Sequence, residues 1–128
     1  MIHVSMGIIL KDDSKVLIAQ RPYQKNYGGL WEFPGGKLEN GETPAEALIR
    51  ELQEELNIVV DTDRELVPYT FSDQAMEFTF YPIFCRIAEG KVENREHPEI
   101  KWVDKKEISK FEFAPPDIAI VEQLKSSL

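Results

Sequence analysis

The chain has 128 residues, 42% hydrophobic and 30% charged, a globular mixture that excludes a disordered chain, a collagen-like repeat or a coiled-coil rod and fits one domain over residues 1–128. Its 23 acids against 15 bases leave a net charge of −8, which argues against a groove for a nucleic acid polymer but leaves room for a phosphate-rich small molecule bridged by cations. With Cys85 as the single cysteine, no basic leader and no apolar run near the roughly 18 residues that span a bilayer, the expectation is a cytoplasmic protein without a membrane partner, monomer or homodimer.

Residues 2–10 are apolar and β-branched, Lys11-Asp12-Asp13-Ser14-Lys15 read as a turn, and residues 16–19 resume the pattern, which predicts a hairpin. Residues 22–36 hold Gly28-Gly29 and Gly35-Gly36 with Pro22 and Pro34, and read as a loop around a short extended piece at 30–33. Residues 43–57 carry the clearest helix. Thr43 is the N-cap, Pro44 takes the first helical position and Glu46 completes a capping box. Ala45, Leu48, Ile49, Leu52 and Leu56 recur at helical spacing, and Asn57 tolerates the left-handed conformation at a helix end. Residues 65–71 and 76–87 read as strands, with Pro82 demoting part of the second to an edge or a bulge. Residues 88–99 form a long polar connection, 100–103 a short strand and 104–108 a helical turn capped by Asp104. Residues 117–125 form a last helix entered through Pro115-Pro116. Strands on both sides of a central helix predict an α+β fold, a mixed sheet flanked by helices.

On a wheel of about 100° per residue, Glu51, Glu54 and Glu55 share an arc of about 100°, beside an apolar face of Ala45, Leu48, Ile49, Leu52 and Leu56. Ala47 leaves space within that arc, and Arg50 stands one turn before Glu54. A solvated acidic face is the ordinary alternative. Two features weigh against it: Glu51 and Glu55 are like charges at i,i+4, and the acids crowd the half of the helix where the dipole disfavours them. A divalent cation with hard oxygen ligands, Mg²⁺ or Mn²⁺, relieves both penalties and also binds phosphates.

Gly36, Glu42, Arg50, Glu51, Leu52, Glu54, Glu55 and Ile58 fall at the spacing Gly, five residues, Glu, seven residues, Arg-Glu-aliphatic-any-Glu-Glu-any-Gly-aliphatic. This resembles the Nudix box. The one departure is Asn57 where the family has glycine, and asparagine is the next-best residue for a positive φ. Arg21-Pro22, the run Leu30-Trp31-Glu32-Phe33-Pro34-Gly35-Gly36-Lys37 and the late Phe113-Ala114-Pro115-Pro116-Asp117 are similar to the MutT-like branch. That resemblance implies an α/β/α sandwich with a mixed sheet. It also implies hydrolysis of a nucleoside triphosphate to the monophosphate and pyrophosphate, with cleansing of 8-oxo-dGTP as the lead. A cytidine-type pyrophosphohydrolase is the close alternative. A Nudix hydrolase of another nucleoside diphosphate is less favoured, because 128 residues leave little room for extensions. A non-enzymatic sensing module is disfavoured because every box glutamate is kept.

The resemblance implies that Glu51, Glu54 and Glu55 hold Mg²⁺ along the triphosphate, with the Gly36 carbonyl as an extra ligand. Arg50 orients Glu54 or its neighbours, and Glu42 steadies the junction of loop and helix. A MutT-like glutamate six residues before the sheet tryptophan reaches the metal and serves as base. Glu96 stands six before Trp102, with Glu93 and Glu99 as weaker candidates. Arg21 and Lys37 are candidate phosphate binders. Phe33, Phe78 and Asp117 are candidates for the base pocket, although Phe78 reads equally well as core. Where the branch reads oxidised guanine with an asparagine, this chain has Asp117. Ionised, it only accepts, which suits cytosine N4; protonated, it suits guanine; its plainest role is a cap on the last helix. His3, His97 and Cys85 show no partner spacing for zinc or nucleophilic catalysis, and Cys85 reads as a buried apolar residue.

Overall fold

The structure, a computed structural model, describes residues 1–12 and 14–127. The β-branched N-terminal run forms β1 (Ile2–Lys11) and turns back into β2 (Lys15–Gln20), with Leu10 opposite Val16. Asp13 of that turn lies outside the described residues. The chain continues through β3 (Trp31–Glu32), β4 (Gly35–Lys37), α1 (Pro44–Leu56), β5 (Val59–Glu65), β6 (Tyr69–Asp73), β7 (Met76–Glu89), β8 (Ile100–Asp104), α2 (Lys105–Ile108) and α3 (Ile118–Ser127). Among the described residues the sheet runs β3-β2-β1-β7-β5, with β4 on β1, β6 on β7 and β8 on β2. β1 and β7 are parallel and the other pairings antiparallel, so the sheet is mixed, as expected.

Successive strand residues face opposite sides, and both sides of this sheet are covered. Ile9 and Leu17 pack with Leu48, Leu52 and Leu56 under α1. Their neighbours Ile8, Val16 and Ile18 pack with Ile120, Val121 and Leu124 under α3. This double burial explains why β1 and β2 read as continuous apolar runs. α1 is built as its sequence requires: Thr43 and Glu46 close a reciprocal capping box, and Asn57 ends the helix at φ 59°, its N–H on the Gln53 carbonyl. Asp104 and Glu107 repeat the capping box on α2.

Several boundaries differ from expectation. β4 lies within the stretch read as loop. Its glycines, ordinarily breakers, let it lie against β1, where a Cβ on Gly35 would run into the Ser5 carbonyl. The span 65–71 is not one strand: β5 ends at Glu65 and β6 begins at Tyr69. β5 was not anticipated because it is mostly polar, with Val60 its one buried residue. Pro82 lies inside central β7, not on an edge. It falls where the antiparallel partner changes from β6 to β5, outside both of those registers and beside a register shift in β5, so its missing N–H is tolerated. The polar connection starts only after Glu89, and a 3-10 turn at Pro115–Asp117 precedes α3. On α1, Ala45 and Ile49 are only partly buried, while Ala47 and the charged Glu55 are buried.

Candidate active site

A cavity of about 550 Å³ is lined by residues from β1, the loop after β2, β4, α1, β6, β7 and the two connections flanking β8 and α2. Gly36, Glu51, Glu54, Glu55 and Glu96 all line it, as do Arg21, Phe33, Lys37, Phe78 and Asp117. Arg50, like Glu42, is not part of the wall. Its guanidinium grips Glu42 with two bonds of 2.7 and 2.9 Å, donates to Glu51 Oε1 at 2.9 Å and approaches Glu54 at 3.6 Å. The Arg50 bond holds the Glu42 carboxyl down at about 2, helped by the Glu39 N–H. Arg50 therefore ties the loop before α1 to the acids on it, through Glu42 and Glu51 more closely than through Glu54.

The connection 90–99 is docked onto the end of α1. Glu93 N–H donates to the Leu56 carbonyl and Arg95 N–H to the Glu55 carbonyl, satisfying groups a helix end leaves open. This brings Glu96 and His97 beside Glu55, where their ligand atoms lie within 4.8 Å of one another. Glu93 and Glu99 instead pair with Arg95 and Lys101. His97 is a site residue that the sequence did not disclose. Its ring, 3% exposed, meets Glu55 Oε1 at 3.1 Å through Nε2 and the Gln20 carbonyl at 3.2 Å through Nδ1, with Glu32 at 3.8 Å. Burial pushes the Glu55 carboxyl up to about 7 against the pull of His97. Burial lowers the His97 imidazole, but the bond to Glu55 and the charges of Glu55 and Glu32 outweigh it, and the net shift is upward. Because Nδ1 gives its hydrogen to the Gln20 carbonyl, the bond between Nε2 and Oε1 requires a second proton between them.

The donor set suits a hard divalent cation. Glu55 Oε2 is buried with no hydrogen-bond partner, a position where a bound ion would complete the bonding. Gly36 lies so close to Glu51 that a Cβ there would strike the carboxylate, and its carbonyl accepts a 3.3 Å bond from Ser5 Oγ.

Elsewhere in the cavity, Phe33 is buried and stacked on Phe113, while half-buried Phe78 stacks on Phe80. Phe78 thus serves core and wall together. Asp117 does not cap α3: its Oδ2 accepts from Phe33 N–H at 2.8 Å. Burial pushes its carboxyl well above the usual range, opposed by that N–H. Arg21 is bonded to Glu32 at 2.6 Å and to the Asn26 carbonyl, and Tyr27 donates to Asp73 at 2.7 Å, joining the loop after β2 to the end of β6. Glu32, Tyr27 and Asp73 were not anticipated, because each is defined by partners far away in sequence.

The chain matches the NUDIX domain over residues 5–123. It is 34% identical over 117 residues, 91% of this chain and 87% of the relative, to the CTP pyrophosphohydrolase of Escherichia coli. It is 46% identical to the 8-oxo-dGTP diphosphatase of Proteus vulgaris over 82 residues, 62% of this chain and 73% of the relative. The solution structure of the E. coli ORF135 protein superposes with a TM-score of 0.81 at 34% identity, over 95% of this chain and 86% of the other. The chain therefore belongs to the Nudix family, in its MutT-like branch, and is a pyrophosphohydrolase. Among the described residues no helix is long and apolar enough to cross a membrane.

Proposed function

We propose that this enzyme hydrolyses a nucleoside triphosphate to the monophosphate and pyrophosphate, with 8-oxo-dGTP as its lead substrate, within one domain that spans the chain. The observation that carries this reading is the convergence of Glu51, Glu54, Glu55 and Glu96 on one cavity, with Glu55 Oε2 buried and unpartnered. Those four carboxylates and the Gly36 carbonyl are the residues to hold Mg²⁺, or Mn²⁺ in its place. When bound, the ion neutralises phosphate charge and lowers the pKa of coordinated water. Glu96 accepts the proton of the attacking water. Arg50 fixes Glu51 and, through the Lys37 carbonyl, the end of β4 that carries Gly36 and Lys37. Lys37 and Arg21 meet the phosphates, Arg21 by exchanging part of its contact with Glu32.

Phe33, Phe78 and Asp117 form the base pocket. With Oδ2 engaged by Phe33 N–H, a neutral Asp117 offers its remaining O–H to guanine O6, and the burial of this carboxyl supports the neutral form. A second reading, a cytidine-type substrate, is supported by the 34% identity to a CTP pyrophosphohydrolase over most of both chains. An ionised Asp117 accepts from cytosine N4. The test is a turnover screen with and without Mg²⁺ over canonical, oxidised and pyrimidine triphosphates, in wild type and Asp117→Asn. If Asp117 reads the base, the kcat/KM ratio of 8-oxo-dGTP to CTP shifts by about 1–3 kcal/mol in Asp117→Asn. An unchanged ratio removes Asp117 from base reading, and no turnover of any triphosphate removes the proposed reaction.

A further inference from the structure

We infer that His97 is a positioning residue for Glu55: its imidazole, strung between the Gln20 carbonyl and Glu55 Oε1, fixes the carboxylate so that Oε2 stays free for the cation. This rests on the cation site proposed above and goes beyond it to the residue that orients the site. Three observations carry it. The ring is 3% exposed, so neither contact is diluted by solvent. A carbonyl can only accept, so Nδ1 carries the hydrogen toward Gln20, at 3.2 Å, which fixes the ring plane and leaves Nε2 for Glu55 at 3.1 Å. Glu55 then has one oxygen engaged and the other buried with no partner. A carboxylate on a helix otherwise rotates about its terminal torsion and exchanges its oxygens; a bond to one of them removes that freedom.

The backbone that carries the imidazole is itself well held. Asn94 takes His97 N–H with its side-chain oxygen at 2.9 Å and donates to the His97 carbonyl at 2.7 Å. The same connection is tied to α1 through Glu93 and Arg95 and to β2 through Gln20 N–H on the Glu99 carbonyl. The geometry is that of an outer partner which orients a ligating carboxylate, a class of contact whose loss lowers metal affinity or activity by about 10- to 100-fold.

The variants that test this separate the two ring nitrogens. A glutamine amide stands near the place of Nε2, and an asparagine amide near that of Nδ1. Mn²⁺ binding to the full-length protein, read by electron paramagnetic resonance without nucleotide, is measured for wild type, His97→Gln, His97→Asn and His97→Ala. kcat, KM and thermal unfolding are measured alongside. The expected result is Mn²⁺ affinity lowered about 10- to 100-fold in His97→Ala and His97→Asn and largely restored in His97→Gln. kcat should follow the same order and KM should change little. Affinity within twofold of wild type in His97→Ala, or His97→Asn performing as well as His97→Gln, overturns the assignment. So does a fall in unfolding temperature with unchanged Mn²⁺ affinity, which marks a merely structural role. If His97→Ala does not fold, the comparison of Gln with Asn decides alone. Glu54→Gln separates this from the underlying reading: if it too leaves Mn²⁺ affinity untouched, the cation site itself is misplaced; if it weakens binding and the His97 series does not, only the positioning role fails.

Discussion

Burying a carboxylate is costly, and among the described residues two are buried, Glu55 and Asp117, in the wall of one cavity. Glu55 is bonded to His97 and Asp117 to the Phe33 N–H. Replacing Glu51, Glu54 or Glu55 by glutamine should lower kcat by about 10²–10⁴ while the fold survives, since like charges are being removed. Glu96→Gln should also lower kcat, while Glu93→Gln and Glu99→Gln, whose side chains pair with Arg95 and Lys101, should not. Steady-state kinetics with thermal unfolding checks both statements, and equal small effects across Glu93, Glu96 and Glu99 would return Glu96 to an ordinary loop acid. Asp117 gives a prediction with a definite sign. Its folded-state pKa is raised above the ordinary 3.8, so its contribution to stability is whole below that value and is lost as pH rises through the folded value. Asp117→Asn keeps an acceptor for Phe33 N–H and has nothing to ionise. Measured by denaturant unfolding, the variant should gain on wild type as pH rises above the ordinary 3.8. A constant difference across that rise would show that Asp117 is not held neutral.

At the scale of elements, α1 positions most of the acids, and both its ends are encoded locally. Asn57 holds the left-handed conformation at φ 59° and also reaches Glu93 at 3.3 Å. Asn57→Ala should cost about 1 kcal/mol or more, because a Cβ without a compensating amide is strained there. Asn57→Gly should stay near wild type in unfolding midpoint; equal losses for Ala and Gly would show that the amide bond to Glu93 matters more than φ. This local encoding is why α1, its capping box and its glutamates were legible from spacing alone. The elements that were missed are set by distant partners. β4 is a glycine pair whose meaning depends on the backbone of Ser5 lying against it. β5 is polar and is defined by its ladder to β7. His97 has its partner 42 residues away on α1, and no periodicity links a loop histidine to a helix glutamate across that separation. Pro82 reads correctly as a disruption, but only the change of partner along β7 explains how a central strand tolerates it.

For the molecule as a whole, the two-sided sheet divides the work. The core under α1 fixes the acidic helix, and the aromatic core under α3 supplies Phe33, Phe78 and Phe80 to the same cavity that the glutamates line. An acidic protein of net charge −8 repels a polyphosphate unless cations intervene, so divalent-ion dependence should be strict. The most direct test of the account is product analysis by ³¹P NMR on 8-oxo-dGTP and CTP, with Mg²⁺ and after its removal by chelation. The account predicts a nucleoside monophosphate and pyrophosphate as the initial products, formed only when the divalent ion is present. Release of orthophosphate with a nucleoside diphosphate, or undiminished turnover in the chelated sample, would contradict it.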